Sequence, residues 1–312
     1  MPSYVALLPN VRVVVRGWLN CNQIVLRGEP ENVVIDSGYG RHAGNTLDLL
    51  RDAPALGPLH LDRLINTHCH SDHMGGNALL RKTYGCRITI PAGEVRHVEP
   101  WTEQSCWAEM TDQYVERFDF DDTIAHNDSF EGGGLTWRAL EAPGHDMDAL
   151  MFWCEEEGML VTGDALWENG LGFVWPESDS GSASHIAAAL ETLDRIEALK
   201  PRIVIPGHGE PFAGIDAALD RARGRLQAFA RHPEKNARHV VKVMFVFALL
   251  DRGRMAVADL PGYLESVPIS RDMKERYLTG DFNGLAERTL SELLAAQAVK
   301  VDEGWITPNM AA

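Results

Sequence analysis

The sequence predicts a mixed α/β protein of the α+β type, with a mostly helical C-terminal subdomain. Short runs rich in β-branched residues alternate with amphipathic stretches over the first two thirds of the 312 residues. These strand-rich runs fall into two halves, each with helices, which favours two sheets packed face to face between helical layers. Beyond residue 215 the pattern is almost wholly helical. We therefore predict one domain over residues 1–215 and a helical subdomain over residues 216–312.

The first half begins with short strands. β-Branched runs at 11–15, 22–26 and 32–36 are separated by turn-rich breaks and predict a strand meander. The elements predicted next are a helix at about 43–52, a strand at 63–67, a helix at about 76–84 and a strand at 87–91.

Aromatic residues recur between positions 99 and 131, where ten acidic residues accompany one basic residue. Their spacing predicts a helix that lies over the domain with a charged outer face. The aromatic residues concerned are Trp101, Trp107, Tyr114, Phe118 and Phe120.

The second half contains strand patterns followed by a helix and a last strand. The predicted elements are strands at 135–142, 149–154 and 158–163, a helix at 184–199 and a strand at 202–206. In the tail, helices are followed by two short extended pieces around a turn, which predicts a winged-helix-like arrangement. We expect this tail to pack against the first domain, or against a second copy in a homo-oligomer, rather than to bind DNA.

The charge of the chain disfavours nucleic acid and membrane partners. Forty-five acidic residues against twenty-nine basic ones give a net charge of −16, and 32 of the acidic residues lie before position 216. Such a surface repels phosphate backbones and anionic lipids. No apolar run reaches the roughly 18 residues of a membrane span, and five scattered cysteines suit reduced thiols. We therefore expect a cytoplasmic protein.

A dense cluster of potential metal ligands follows the predicted strand at 63–67. His68-Cys69-His70-Ser71-Asp72-His73 places three imidazoles and a carboxylate within six residues. Neutral imidazole nitrogen and carboxylate oxygen suit a cation such as zinc. The alternative is a solvated, histidine-rich turn. Cys69 lies between two of the candidates and is expected to point away from them as a packed thiol.

Three further candidates each follow a strand-like run and stand beside glycine. His145 lies in Pro-Gly-His-Asp, Asp164 in Thr-Gly-Asp and His208 in Gly-His-Gly. Singly, each has an ordinary explanation as a helix cap or a turn residue. Together and in this order they predict a metal site, because small neighbours allow loops to approach each other closely.

With these residues the sequence resembles the metallo-β-lactamase superfamily, over about residues 10–212. The motif H-x-H-x-D-H, followed by H, D and H, carries the resemblance. The resemblance implies an αββα sandwich with two divalent ions at one edge of the two sheets. Zinc is the expected metal, and iron and manganese are the alternatives. The implied ligands are His68, His70 and His145 for the first ion, Asp72, His73 and His208 for the second, and Asp164 between them.

The charges of such a site predict hydrolysis. Two divalent ions and two carboxylates, Asp72 and Asp164, give the site a net positive charge. This charge favours a metal-bridging hydroxide as the nucleophile. The two aspartates are therefore the predicted catalytic residues. No serine or cysteine nucleophile is needed.

The substrate class is a narrower inference. Within the superfamily, the ligand set resembles those of glyoxalase II, lactonases, thioesterase-like relatives and a transfer-RNA-processing ribonuclease. Secreted β-lactamases characteristically lack the bridging aspartate, which disfavours β-lactams as the main substrate. The Asn-Pro-Phe-Leu-Arg-like segment of glyoxalase II is not found in this sequence, which disfavours a glutathione thioester. The loop after Asp164 carries Trp167, Phe173 and Trp175, which we expect to line the substrate pocket. An acidic domain with aromatic residues at the pocket favours a small-molecule thioester, ester or lactone. The alternatives are a phosphodiesterase or ribonuclease, and a regulatory protein that retains a metal site.

Overall fold

The first of two large sheets has seven strands in chain order. In the computed structural model, which describes residues 2–101, 108–176 and 184–309, β1 to β4 pair antiparallel and β4 to β7 pair parallel. The strands are β1 (Ser3–Leu8), β2 (Val11–Val15), β3 (Gln23–Leu26), β4 (Val33–Ile35), β5 (Arg63–Ile65), β6 (Arg87–Pro91) and β7 (Asp122–Ile124). The parallel pairing brings the carboxyl ends of β4 and β5 side by side.

The second sheet has five strands in the order β12-β11-β10-β9-β8. They are β8 (Ser129–Gly132), β9 (Leu135–Glu141), β10 (Leu150–Cys154), β11 (Met159–Gly163) and β12 (Ile203–Pro206). Strands β11 and β12 are parallel, and the other neighbours are antiparallel. The carboxyl ends of β11 and β12 therefore also lie together.

The two sheets pack face to face between two helical layers, as the sequence predicts. One core joins Ile24 of the first sheet to Trp137 and Phe152 of the second. The helices of this part are α1 (Ala43–Arg51), α2 (Ser71–Met74), α3 (Asn77–Tyr84), α4 (Val95–Val98), α5 (Ala108–Thr111), α6 (His185–Leu199) and α7 (Asp216–Arg231). Helices α1 and α3 cover the first sheet, and α6 and α7 cover the second. This is the αββα sandwich.

The tail is mostly helical and ends in a small sheet. Its helices are α8 (Pro233–Arg252), α9 (Leu260–Ser266), α10 (Pro268–Tyr277) and α11 (Phe282–Ala295). Strands β13 (Met255–Ala256), β14 (Val299–Asp302) and β15 (Trp305–Pro308) form an antiparallel sheet in the order β13-β15-β14. The extended pieces predicted near the C-terminus are β14 and β15.

The helix predicted between 99 and 131 is wrong for most of that stretch. Only α5 is helical among its described residues; 112–121 lack regular structure, and β7 and β8 follow. Aspartate is a poor helix former, and Asp121 instead pairs with Arg81 of α3 at 2.9 Å. Trp107 lies outside the described residues.

The predicted boundary at residue 215 lies just before helix α7, which still packs in the core of the second sheet. Leu219 and Leu226 of α7 belong to the core of the second sheet and α6. The separate core of the tail begins with Ala237 on α8. The division into two domains stays a prediction. Within the described part of the chain, no helix combines the length and the apolar character needed to cross a bilayer.

Candidate metal centre

The seven predicted ligands meet at one edge of the sandwich. His68 follows β5, and the turn into α2 positions His70, Asp72 and His73. The others lie after strands of the second sheet: His145 follows β9, Asp164 directly follows β11 and His208 follows β12. The edge is where the carboxyl ends of the parallel pairs β4/β5 and β11/β12 come together.

Two groups of ligand-type atoms contain the predicted ligands other than Asp164. One group is His68, His70 and His145, and the other is Asp72, His73 and His208; within each group the atoms lie within 4.8 Å of one another. A further group, His68, His73 and Asp164, overlaps both. In the first group, Nδ1 of His70 is 2.8 Å from Nε2 of His145. In the second, Nε2 of His208 is 3.1 Å from Oδ2 of Asp72. All but the half-buried His70 are buried.

Asp164 faces both groups, one oxygen to each. Its Oδ2 is 3.4 Å from Nε2 of His145, whereas its Oδ1 is 3.3 Å from Nε2 of His73 and 3.7 Å from Nε2 of His208. A carboxylate in this position can bind two cations at once.

Two glycines make this approach feasible. A Cβ at Gly172 would lie 2.6 Å from Nδ1 of His145, and a Cβ at Gly207 would collide with Oδ1 of Asp164. Any larger residue at either position would displace these side chains. Glycine is therefore required here for packing against the site.

Neighbouring acceptors fix the hydrogen of several imidazoles on the nitrogen that faces away from the site. Nδ1 of His145 is 2.6 Å from the carbonyl oxygen of Phe173, which can only accept. Nδ1 of His73 is 2.9 Å from Oδ2 of Asp36. Each of these two contacts directs the other ring nitrogen, with its lone pair, into the site. Nε2 of His70 lies 3.3 Å from Oδ2 of Asp146.

Asp36 also acts on His68 through a hydroxyl group. The Thr67 Oγ1 donates to Oδ2 of Asp36 at 2.8 Å and lies 3.1 Å from Nδ1 of His68. Because its hydrogen is used on Asp36, the hydroxyl accepts from His68 Nδ1. A single buried carboxylate thus orients a histidine of each group.

The buried nitrogens fit a bound cation. Nε2 of His68 and Nε2 of His73 are buried without a hydrogen-bond partner among the described residues, a costly arrangement unless another group binds them. Burial lowers the pKa of His70 and of His145 to about 4, and it lowers the pKa of His68 well below its usual value. These imidazoles are therefore neutral near pH 7, as metal ligands must be.

The charges around Asp164 keep it ionised. Burial by itself would raise the pKa of Asp164, but the nearby His73 and His208 hold that pKa well below its usual value. An ionised carboxylate beside imidazole nitrogens is a suitable donor set for a divalent cation.

A pocket of about 830 Å³ opens above the two groups. The three predicted pocket residues all line it. The Trp167 Nε1 donates to Oδ1 of Asp164 at 3.3 Å, the ring of Phe173 stacks on His70 with centroids 6.3 Å apart, and Trp175 lies beside Phe173. The loop after Asp164 therefore forms one wall.

The opposite wall of the pocket, and the carboxylates that hydrogen-bond to the predicted ligands, are not predicted from the sequence. Val243, Met244 and Phe247 of α8 line the pocket together with Trp18; their helical spacing was equally compatible with an ordinary core. Asp36 could have been suspected because it directly follows a buried strand parallel to the one that precedes His68. Cys69 packs in the core of the first helical layer, as expected.

Comparisons with known proteins agree with this fold. Residues 16–208 match the family model for the metallo-beta-lactamase superfamily. The hydroxyacylglutathione hydrolase of Methylococcus capsulatus is 30% identical over 180 residues, which is 58% of this chain and only 60% of that enzyme. A beta-lactamase-like protein 2 homolog of Drosophila melanogaster is 26% identical over 241 residues, which cover 72% of this chain and 74% of that protein.

Solved structures show the same fold. A metallo-beta-lactamase family protein from Thermus thermophilus has a TM-score of 0.57 and 22% identity over 97% of this chain and 100% of its own. A beta-lactamase domain protein from Burkholderia ambifaria has a TM-score of 0.61 and 22% identity, covering 98% of this chain and 94% of its own. At such identities the likeness concerns the fold alone.

Proposed function

Because the chain belongs to the metallo-β-lactamase superfamily, we propose that it is a dinuclear metal-dependent hydrolase of a small-molecule thioester, ester or lactone. The observation that carries the two-ion proposal is Asp164, whose oxygens face two separate groups of histidines. The proposed ligands are His68, His70 and His145 for one ion, Asp72, His73 and His208 for the other, and Asp164 for both. Zinc is the proposed metal, since nitrogen and oxygen donors suit it.

Each part of the site has a separate task in this proposal. Bound divalent ions would supply the positive charge that acidifies a water molecule and polarises the bond to be broken. The histidines would hold that charge in place without cancelling it, because an imidazole binds a metal ion in its neutral form. Asp36 and the carbonyl of Phe173 keep the imidazoles of His73 and His145 oriented. Asp164 and Asp72 reduce the charge of the cluster and fix its geometry.

The pocket favours an acyl-bearing substrate. Aromatic and aliphatic side chains form much of its wall, and Arg225 is the one lining side chain with a permanent positive charge among the described residues. A polyanion would need a basic track along its path. This supports a neutral or acyl-bearing small molecule over a phosphodiester or RNA.

A substrate panel tests the proposal. The purified protein is incubated with acyl thioesters, including a glutathione thioester, with lactones and aryl esters, and with bis-p-nitrophenyl phosphate. We expect hydrolysis of one of the acyl classes, lost after chelation and restored by zinc. Turnover of the phosphodiester alone would favour the phosphodiesterase alternative, and no turnover in the metal-replete protein would favour a regulatory protein.

A further inference from the structure

A second cavity adjoins the pocket and is formed largely by the tail. It contains about 1070 Å³ of empty space between α8, the end of α11 and the last residues of the small sheet. Its walls are mainly apolar, with Val246 and Leu250 on α8 facing Ala296 and Ala298 across it. We call this cavity the tail groove.

The tail groove lies beside the pocket above the candidate metal centre and shares part of its lining. Trp18, His239 and Val243 line both cavities. On α8 the shared and groove-lining residues run from His239 to Leu250, a distance of roughly 16 Å at 1.5 Å per residue. An extended molecule can therefore reach from the pocket into the groove along one face of α8.

The junction exposes an aromatic ring. Trp18 is 40% exposed, although its ring contacts Phe247 with centroids 5.3 Å apart. A large apolar surface at the junction of two cavities is typical of a ligand-binding groove. A chain passing from one cavity to the other would cover this ring.

The charged groups of the groove neutralise each other. Lys242 and Glu292, which both line it, form an ion pair at 2.7 Å. Arg238, which is not among the residues that line the groove, also contacts Glu292, at 3.4 Å. The charged lining is thus one ion pair, and the apolar walls favour an uncharged chain.

We propose that the tail groove binds the apolar acyl chain of a substrate whose reacting carbonyl group lies in the pocket beside Asp164. This inference rests on the proposed function for the carbonyl group, and on the shared lining of the two cavities for the chain. The substrate is then a medium- to long-chain acyl thioester or ester, and the helical tail contributes to the specificity for the length of the acyl chain.

Binding of fatty acids tests the groove without requiring turnover. Butanoate, octanoate and dodecanoate share one carboxylate, so differences among them report on the chain. We expect each added methylene that enters the groove to tighten the Kd, measured by titration calorimetry on the full chain, by about three- to fourfold. Ala296→Trp, which fills the groove, should weaken dodecanoate binding at least tenfold and leave butanoate unchanged.

A matched variant separates this effect from general damage. Ala295 is exposed on the same helix end and does not line the groove, so Ala295→Trp should leave all three dissociation constants unchanged. Equal affinities across the chain lengths, or equal losses in the two variants, would overturn the inference. So would a change of association state in Ala296→Trp, measured by light scattering, without loss of dodecanoate binding, since a second copy would then occupy the groove.

The outcome is separable from that of the substrate panel. Chain-length-dependent binding that Ala296→Trp abolishes, in a protein that hydrolyses no acyl compound, supports the groove and contradicts the hydrolase. Hydrolysis with no dependence on chain length supports the hydrolase and overturns the groove.

Discussion

Two aspartates contact the side chains of the candidate metal centre in different ways. Asp164 faces both groups of ligand-type atoms with one oxygen each. Asp36 is not one of the predicted ligands. Its carboxylate fixes the imidazole hydrogen of His73 directly and that of His68 through Thr67. Substitutions at the two positions should therefore differ in kind as well as in size.

Loss of Asp164 should remove a ligand from both ions. We expect Asp164→Ala to bind at most one metal ion per chain and to lose about a hundredfold or more in kcat/KM, because each ion supplies several kcal/mol to the reaction. Elemental analysis and initial rates measure the two effects. Asp302→Ala, at an exposed position on β14, is the control and should match the wild type. Full activity in Asp164→Ala would contradict its bridging role.

Loss of the charge on Asp36 should weaken metal binding without removing a ligand. Asp36→Asn keeps the size of the side chain but replaces one accepting oxygen by a donating amide, so the imidazoles lose their preferred orientation. We expect metal affinity to fall about ten- to a hundredfold, measured by competition with a chromophoric chelator. Asp48→Asn, exposed on α1, should have no effect. An unchanged affinity in Asp36→Asn would show that this contact does not orient the ligands.

The candidate ligands could be predicted from the sequence, whereas their supports could not. Three histidines and an aspartate within six residues after a strand are rare enough to indicate a site. A single aspartate such as Asp36 has many ordinary explanations. The contact between the backbone carbonyl of Phe173 and His145 cannot be predicted from the sequence, because every residue has a backbone carbonyl.

At the scale of elements, the loop after Asp164 and helix α8 form opposite walls of the pocket. The loop was predicted to line it because its aromatic rings follow a candidate ligand. The sequence predicts that the tail, which contains helix α8, packs against the rest of the protein. On α8, Phe245 and Leu249 are buried in the tail core. Val243 and Phe247 are half-buried and face the pocket. Helical periodicity identifies apolar faces but does not reveal which face covers a cavity.

The two tryptophans of the loop should have separable effects. Trp175 lines the pocket beside Phe173, so Trp175→Ala should raise KM and keep the metal content. Trp167 donates to Asp164, so Trp167→Phe, which keeps an aromatic ring but loses the N–H, should weaken metal binding as well. Steady-state kinetics and metal analysis distinguish the two. Metal loss in Trp175→Ala with an unchanged KM would assign that ring to the core.

At the scale of the whole molecule, charge and packing argue against nucleic acid. The net charge is −16, and several basic residues of α7 and α8 are ion-paired. Arg223 contacts Asp194 and Glu197, and Arg252 contacts Asp112. The tail therefore presents fewer free cations than its sequence suggests.

Duplex DNA should bind the full chain weakly or not at all. We expect no association tighter than about 10⁻⁴ to 10⁻⁶ M at physiological salt, the range of non-specific binding, in a fluorescence anisotropy titration with a labelled duplex. Tighter, steeply salt-dependent binding that disappears when residues beyond 240 are deleted would reverse this expectation and support the regulatory alternative.

The number of metal ions bound by the purified protein reports on the dinuclear centre itself. The chain is saturated with zinc, dialysed against metal-free buffer and analysed for metal and protein. We expect two zinc ions per chain, because the seven candidate side chains form two groups with Asp164 between them. One ion or none under these conditions would contradict the dinuclear centre on which the proposed hydrolysis depends.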